Sequence, residues 1–283
     1  MLLVVVYGLK TADYGWLDQF YPAHRLMTEA KNRSIPLRFL FPSDIPAFLS
    51  EPRSPAELED TLILVRGTVG TALVRSLEHA GFRCVNASRA LELAADKLEA
   101  ARFLERNGWP TPRTRTLNEV LEGDVVPVFP LVAKPRRGCR GEGVTLVRGR
   151  EELEALPGDA LIQDFIAESA GRDLRVFFAG GEILATVVRE SSDGGFRSNT
   201  ATGGRMRRVS GCPEGKTALD IACRAGLWYG TVDFLFLDAV SPPDAGRLTV
   251  CEINGAPGYE SMETECGTDI AGRLLDLLVR DFG

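Results

Sequence analysis

The sequence predicts an α/β protein with two domains or three small ones. A continuous apolar run, Leu2 to Val6, is typical of a parallel strand that is covered on both faces. Helical and strand-like patterns alternate along the first ninety or so residues, and pairs of strands joined by turns follow. The 283 residues include 45% hydrophobic and 25% charged residues, a composition typical of globular proteins with their own cores.

The first ninety or so residues predict a small α/β domain. Its expected strands are 2–6, 37–41, 61–65 and 82–85, and its expected helices are 13–32, interrupted by Pro22, and 69–80, ended by Gly81. Such units commonly bind ligands at the carboxyl ends of their strands. No Gly-x-Gly-x-x-Gly motif follows the first strand, so a dinucleotide-binding dehydrogenase has weak support.

Charge and cysteine content exclude several classes of protein. The net charge of −6 and pI near 5.2 argue against nucleic acid as the main partner. Basic residues nevertheless cluster at 134–150 and 189–208, which favours small anionic ligands, although such runs are also common on solvated faces. Six cysteines without a Cys-x-x-Cys pair, and no leader or membrane-spanning run, predict reduced thiols in a cytoplasmic protein.

The pattern changes after residue 87. Ser88 and Asp96 are expected to cap helices, and residues 96–107 predict an amphipathic helix. Pro110 and Pro112 then predict a linker. From the change of pattern we place a domain boundary near residue 92.

A glycine-rich loop is expected between strands 129–134 and 144–147. Its glycines, Gly138, Gly141 and Gly143, would let the backbone approach a phosphate closely and offer amide donors. Lys134 precedes the loop, and its ammonium is well placed for such phosphates. A simple hairpin turn would also require glycine, so the loop alone does not decide between these interpretations.

Two β-rich runs, 231–237 and 248–254, predict an antiparallel hairpin. With its centre between Pro242 and Pro243, Asp233 lies opposite Glu252, and Asn254 lies on the same face. Two carboxylates and an amide favour a hard cation, Mg²⁺ rather than Ca²⁺, although an ordinary acidic surface hairpin is the alternative.

The other face of this hairpin is expected to be core. In the predicted register, Phe234 lies opposite Cys251 and Val232 lies opposite Ile253, with Phe236 on the same face.

Several motifs follow one another in one order along the chain. They are Lys97, Lys134 before the glycine-rich hairpin, LIQDFI at 161–166, FRSN at 196–199, and Asp233 with CEIN at 251–254. This ordered set resembles the ATP-grasp superfamily, and in particular the subgroup of the ribosomal protein S6 glutamate ligase. The resemblance implies an N-terminal Rossmann-like domain (1–92) and two α+β subdomains (93–165 and 166–283) that clamp ATP.

The resemblance also implies roles for individual residues. Phosphate contacts are expected from Lys97, Lys134 and the glycine-rich loop, adenine contacts from Gln163, Asp164, Phe165 and Ile166, and a nucleoside contact from Asp173. Arg197, Ser198 and Asn199 would line the phosphate and acyl end, with Arg197 and Asn199 catalytic. Asp233, Glu252 and Asn254 would bind Mg²⁺ or Mn²⁺. The family more often has Glu where this chain has Asp164, which puts a side-chain contact there in doubt.

The activity implied is an ATP-dependent carboxylate-amine ligase that forms an acyl phosphate and releases ADP. A site rich in lysine, arginine and metal ligands suits phosphoryl transfer without a protein nucleophile. The expected substrates are glutamate or a related amino acid and an acceptor that is a peptide, protein tail, carrier protein or cofactor, with homo-oligomer formation left open. The alternatives are an Mg-ATP-binding module without ligase activity and a natural-product peptide ligase with another substrate.

Overall fold

A computed structural model describes residues 1–8, 14–138, 141–192, 194–196, 204–210, 212–238 and 247–283. In these ranges the chain forms three β-sheets, one for each segment predicted from the sequence. The sheets lie within 1–92, 93–165 and 166–283, while the exact domain boundaries stay a prediction. Among the described residues, no helix combines the length and apolar character needed to cross a membrane.

The first sheet is parallel, as predicted, with strand order β2-β1-β3-β4. Its strands are β1 (Leu2–Gly8), β2 (Leu37–Leu40), β3 (Thr61–Gly67) and β4 (Arg83–Val85). Its helices are α1 (Tyr21–Asn32), α2 (Ile45–Ser50), α3 (Pro55–Glu59) and α4 (Thr71–His79). Pro22 is the second residue of α1 and does not interrupt it, because proline fits the first turn, where its missing N–H has no helical partner.

Two helices, α5 (Ser88–Ala95) and α6 (Lys97–Arg106), connect the first sheet to the rest of the chain. The Asp96 carboxylate accepts hydrogen bonds from the N–H groups of Leu98 and Glu99, which confirms this residue as the cap of α6. The cap predicted at Ser88 is wrong. Ser88 is the first helical residue, and its N–H and hydroxyl bind the Glu78 carboxylate instead.

The second sheet is small and antiparallel, with order β5-β8-β6-β7. Its strands are β5 (Thr114–Thr116), β6 (Leu131–Pro135), β7 (Thr145–Val147) and β8 (Ala160–Asp164). The short helices α7 (Leu117–Leu121) and α8 (Arg150–Glu154) belong to this unit. Leu117, Leu131 and Leu153 are buried in its core.

The third sheet has five antiparallel strands in the order β11-β10-β9-β12-β13. They are β9 (Arg172–Ala179), β10 (Glu182–Glu190), β11 (Arg205–Arg208), β12 (Tyr229–Phe236) and β13 (Leu248–Asn254). Three helices accompany them, α9 (Glu214–Ala225), α10 (Glu260–Thr264) and α11 (Ile270–Phe282). Asp269 caps α11 by accepting a hydrogen bond from the Gly272 N–H.

The two faces of this large sheet pack against different partners. Leu174, Val176 and Phe178 face α9 and share a core with residues of α5 and α6. On the opposite face, Phe177 and Tyr229 share a core with the first sheet, α1 and α11. The first and third sheets are therefore held together by one continuous apolar core.

Asn86 joins these two sheets through its buried side-chain amide. Its Nδ2 donates to the carbonyls of Tyr229 (2.8 Å) and Gly255 (2.6 Å), and its Oδ1 accepts from the Trp228 N–H at 2.7 Å. The side chain is 1% exposed, so no water replaces a lost bond at low cost.

We expect Asn86→Leu to lower the free energy of unfolding by about 3 kcal/mol, because several buried backbone groups lose their partners at once. Urea unfolding of wild type and variant measures the difference. Asn118→Leu, at an exposed position in α7, is the control and should change stability little. Equal losses in the two variants would contradict the assigned role of Asn86.

Candidate active site

One face of the large sheet changes from apolar to charged along its strands. Phe177 and Tyr229 lie at the apolar end, whereas Arg175 on β9 and Asp233 on β12 lie farther along the same face. The register pairs Arg175 with Asp233 and Asp173 with Arg189, so strand pairing itself brings opposite charges together.

Asp233 is the centre of this charged half. Its carboxylate accepts from Arg175 Nε at 2.7 Å and Nη2 at 2.6 Å, and from Arg189 Nη2 at 2.8 Å. The residue is only 3% exposed. Burial acts to raise the pKa of Asp233, but the two guanidinium groups outweigh it and hold the pKa below its ordinary value.

Arg189 bridges Asp233 to a second buried carboxylate. Its Nε donates to Asp173 Oδ1 at 2.7 Å, and its Nη2 also contacts Asp173 Oδ2. The nucleoside contact expected of Asp173 stays a prediction, and this carboxylate already binds a guanidinium. Arg189 belongs to the basic cluster 189–208 that favours small anionic ligands, but in the structure it binds two protein carboxylates.

The hairpin register is confirmed near the candidate metal ligands. Asp233 pairs with Glu252, Val232 pairs with Ile253, and Thr231 pairs with Asn254. Asp233, Glu252 and Asn254 thus occupy neighbouring strands at the charged end of the sheet.

The predicted pairing of Phe234 with Cys251 is wrong. An irregularity after Asp233 pairs Phe234 with Val250, which leaves Cys251 as an extra residue in β13. Val250 takes the expected place of Cys251 in the apolar core. Cys251 instead lies near Lys134 and Glu252, and burial raises its thiol pKa to about 12, so the thiol is neutral at pH 7.

The three side chains retain capacity for a metal ion. Three hydrogen bonds fill most of the lone-pair positions of the Asp233 carboxylate and leave room for one further contact. Glu252 forms a 3.7 Å ion pair with Lys97. The Asn254 amide has a buried nitrogen without a hydrogen-bond partner among the described residues. Since amide N and O are hard to distinguish, this group could present its oxygen. The donor set fits Mg²⁺.

This fit depends on the amide. Within the described ranges, no three His, Cys, Asp or Glu side chains are grouped closely enough to hold a metal ion. A cation here would therefore need oxygens from water or phosphate in addition, which is the usual coordination of protein-bound Mg²⁺.

Lys134 approaches this face from the small sheet. Its Nζ donates to Gln163 Oε1 at 3.1 Å, and Gln163 Nε2 donates to Thr114 Oγ1 at 2.9 Å. Both Lys134 and Gln163 are buried. In this structure the Gln163 side chain positions the lysine, so the adenine contact expected of Gln163 stays a prediction.

Lys97 connects the glycine-rich loop to the charged face. Its Nζ donates to the Gly138 carbonyl at 2.7 Å and lies 3.7 Å from Glu252 Oε1. Gly138, Gly141 and Gly143 all have positive φ values, which favour glycine.

The loop is anchored to the start of α6 by an arginine that the sequence did not single out. Arg136 Nε donates to Asp96 at 2.9 Å, and its carbonyl accepts from the Lys97 N–H at 3.1 Å. Arg137 also contacts Asp96 and Glu92. These two arginines of the basic run are therefore paired with acidic side chains.

The predicted adenine residues lie at and directly after the carboxyl end of β8, an inner strand of the small sheet. Asp164 Oδ1 accepts from Arg115 at 3.1 Å, so the shorter side chain is held by an ion pair. Phe165 contacts Phe196 edge-on at 6.3 Å between ring centroids. Ile166 follows directly, at the start of a short 3-10 helix. Asp164 and Phe165 also line a cleft of about 380 Å³.

Arg197, Ser198 and Asn199, predicted for the acyl end, lie outside the described residues. The functional side chain that sequence reasoning missed is Arg175. It could have been found by strand alternation, since Asp173 and Arg175 are two residues apart on one strand face.

The charges of the described part of the site do not cancel. There, four cationic side chains accompany three carboxylates, namely Lys97, Lys134, Arg175 and Arg189 with Asp173, Asp233 and Glu252. The difference, four minus three, leaves one positive charge at neutral pH before any anion binds. The arrangement therefore suits an anion, with or without a metal ion.

Comparisons with known proteins agree with this geometry. A family model for the RimK-like ATP-grasp domain matches residues 94–278. A probable alpha-L-glutamate ligase from Maridesulfovibrio salexigens is 34% identical over 224 residues, which cover 75% of this chain and 72% of that protein.

Two solved structures share the fold. D-alanine–D-alanine ligase from Bacillus anthracis complexed with ATP is 17% identical with a TM-score of 0.71, and the match covers 99% of this chain and 96% of that one. The ATP-grasp ligase PsnB complexed with minimal precursor, Mg and ADP is 17% identical with a TM-score of 0.69, and the match covers 98% of this chain and 97% of that one. The predicted ATP-grasp fold is confirmed.

We expect Asp233→Asn to lower the free energy of unfolding by about 3 kcal/mol, because a buried guanidinium, Arg189, and a partly buried one, Arg175, lose their shared counter-charge. Glu252→Gln, whose side chain is 31% exposed, should change it by less than about 0.5 kcal/mol. Chemical unfolding of both variants measures this contrast. Similar stability of the two variants would contradict the network described for Asp233.

The stabilisation by Asp233 should also depend on pH. Its folded pKa lies below the value of about 3.9 expected in the unfolded chain, so the stabilisation is present above about pH 4 and is lost as pH falls through the lower folded value. The stability difference between wild type and Asp233→Asn should shrink from pH 7 to about pH 3. A difference that does not change with pH would contradict this account.

Proposed function

The chain belongs to the RimK-like ATP-grasp family, and we propose that it joins the carboxylate of an acceptor to the amine of glutamate or a related acidic amino acid. ATP-dependent amide-bond formation with release of ADP is the activity of this family member. The relative named a probable alpha-L-glutamate ligase supports the choice of amino acid. PsnB, complexed with a precursor, supports a peptide or protein tail as acceptor.

The observation that carries the proposal is the charged half of the large sheet. Asp233, Glu252 and Asn254 lie there on two neighbouring strands, and Lys97 reaches Glu252 from another element. Lys134 reaches the same region from the small sheet. Cationic side chains from α6 and the small sheet and oxygen ligands from the large sheet therefore lie around one candidate site.

The first chemical step is phosphoryl transfer. A carboxylate oxygen of the acceptor bonds to the γ-phosphorus of ATP, the bond between that phosphorus and the β,γ-bridging oxygen breaks, and ADP leaves. Lys97 and Lys134 would bind the phosphates and offset the repulsion between two anions. Asp233, Glu252 and Asn254 would hold Mg²⁺, or Mn²⁺, which when bound supplies further neutralisation of phosphate charge.

The second step forms the amide. The deprotonated amine of the amino acid attacks the acyl phosphate carbon, the carbon–oxygen bond to phosphate breaks, and inorganic phosphate leaves. The protein needs no covalent nucleophile for this sequence. Cys251 fits that conclusion, because burial raises its thiol pKa to about 12 and keeps it protonated.

Arg175 and Arg189 act in this mechanism by positioning the Asp233 carboxylate. Arg175 and Arg189 fix the Asp233 carboxylate in one orientation and keep it ionised. Gln163 fixes the Lys134 ammonium in a similar way. We propose that this preorganisation limits how far charged groups must move during phosphoryl transfer. A cytoplasmic location stays a prediction from the cysteine content.

We expect purified protein to release ADP from ATP in the presence of L-glutamate and a peptide with a free terminal carboxylate. Mass spectrometry should then show the peptide extended by glutamyl residues. A chain that only binds Mg-ATP would release no ADP in response to the substrates. AMP and pyrophosphate as products would contradict transfer of the γ-phosphate.

We expect Glu252→Gln to lower kcat on the order of a hundredfold and to raise the Mg²⁺ concentration needed for half-maximal rate. The cause is the loss of one charged oxygen ligand with little change in stability. Glu105→Gln, at an exposed position of α6, is the matched control and should keep wild-type kinetics. An unchanged Mg²⁺ requirement in Glu252→Gln would remove this residue from the metal site.

A further inference from the structure

One buried cation, Arg66, lies away from the lysines proposed to bind phosphate. Arg66 is the last residue before Gly67 at the carboxyl end of β3, and it is 1% exposed. It lies on the same strand face as Leu62 and Leu64, which belong to the core shared with the large sheet. Arg66 therefore lies where that apolar core ends.

The guanidinium of Arg66 lacks an acidic partner in the described part of the chain. Its Nε and Nη1 are buried without hydrogen-bond partners there. Its electrostatic neighbours are the tyrosines Tyr7, Tyr229 and Tyr259, and it hydrogen-bonds the Tyr229 side chain. The guanidinium carbon lies 4.7 Å from the ring centroid of Tyr259 and 5.7 Å from that of Tyr229. A guanidinium stays charged in proteins, and burial without an anion is costly.

Other aromatic-stacked arginines of this chain are satisfied. Arg53 lies 4.0 Å from the Phe48 ring centroid, but its Nη1 also donates to the Phe48 carbonyl at 2.6 Å and it pairs with Glu51. Stacking on an aromatic ring therefore does not by itself leave arginine donors unmet, whereas two donors of Arg66 lack partners among the described residues.

The position of Arg66 connects it to the candidate active site. The Tyr229 ring contacts Arg66, and Thr231 and Asp233 follow on the same face of β12, at steps of about 7 Å. Thr231 is fully buried, and its hydroxyl also lacks a partner among the described residues. Two residues with buried polar atoms that lack hydrogen-bond partners among the described residues, Arg66 and Thr231, thus lie between the end of β3 and the candidate metal ligands.

We propose that Arg66 binds a carboxylate of the acidic amino-acid substrate, one that is not consumed in the reaction. The proposal rests on the proposed function, because glutamate brings two carboxylates that need binding groups while its amine reacts. A carboxylate carries one negative charge and matches the single charge of the guanidinium, whose planar donors suit it. The carboxyl end of a parallel strand is also a usual place for ligands in α/β units.

The test compares Arg66→Met and Arg66→Lys with wild type in steady-state ADP release. We expect Arg66→Met to raise KM for L-glutamate by roughly 10- to 100-fold while KM for ATP changes less than about twofold. Arg66→Lys should recover part of the loss, because it keeps the charge without the fork of donors. If Arg66→Met does not fold, KM for L-glutamate can still be measured in Arg66→Lys.

Arg53→Met is the matched control, since it removes another aromatic-stacked arginine of the first sheet region. It should leave KM for glutamate unchanged. An unchanged KM for glutamate in both Arg66 variants, even with lowered thermal stability, would overturn the proposal and leave Arg66 a structural contact between two tyrosines.

Calorimetric binding of L-glutamate, measured with a non-hydrolysable ATP analogue present, separates this inference from the proposed function. If wild type binds L-glutamate and Arg66→Lys binds it more weakly, the carboxylate site is supported even when no ligase product forms. Product formation by wild type with unweakened glutamate binding in Arg66→Lys supports the ligase and overturns the site. Absence of glutamate binding by wild type overturns the Arg66 assignment to this substrate.

Discussion

The structure depends on keeping Asp233 ionised inside a protein core. A carboxylate that is 3% exposed is stable in its charged form only with close cations. Arg175 provides one from β9, the neighbouring strand, and Arg189 provides another on the same face from β10, the strand beyond β9. Strand register places all three groups, so a shift of one residue would turn the charges into the apolar core. The charged half of the face therefore depends on the strand register as strictly as the apolar half does.

The apolar half of that face determines where the active site lies. Phe177 and Tyr229 pack against the first sheet, and the charged residues continue from that contact along the same strands. The site consequently forms where three sheets approach one another. Lys134 comes from the small sheet, Lys97 from the helix that precedes it, and the carboxylates from the large sheet. Such an arrangement lets a ligase bind nucleotide and substrate between separately folded elements.

Much of this site was predictable from residue alternation. The pairing of Asp233 with Glu252 follows from symmetry about the hairpin, and the Asp96 cap and the positive φ values of the loop glycines follow from local chemistry. Cys251 was misplaced because a single extra residue in a strand leaves no clear mark in an alternating pattern. Its place beside Lys134 became visible only in the folded chain.

Long-range ion pairs were the other feature that the sequence could not supply. Arg136 and Arg189 looked like binding groups for external anions, yet Asp96, Asp173 and Asp233 neutralise them. Partners 16 to 44 residues apart cannot be assigned from a charge run alone. Short elements such as β5 and α8 were also missed, since three to five residues carry little periodic signal.

Transfer of ¹⁸O tests the central claim of acyl phosphate formation most directly. The acceptor would carry ¹⁸O in its reacting carboxylate, and turnover with ATP and L-glutamate would be followed by phosphorus NMR or mass spectrometry of the products. The account predicts one ¹⁸O atom in each inorganic phosphate released and none in the nucleotide. Recovery of ¹⁸O in AMP, or phosphate without label, would contradict it.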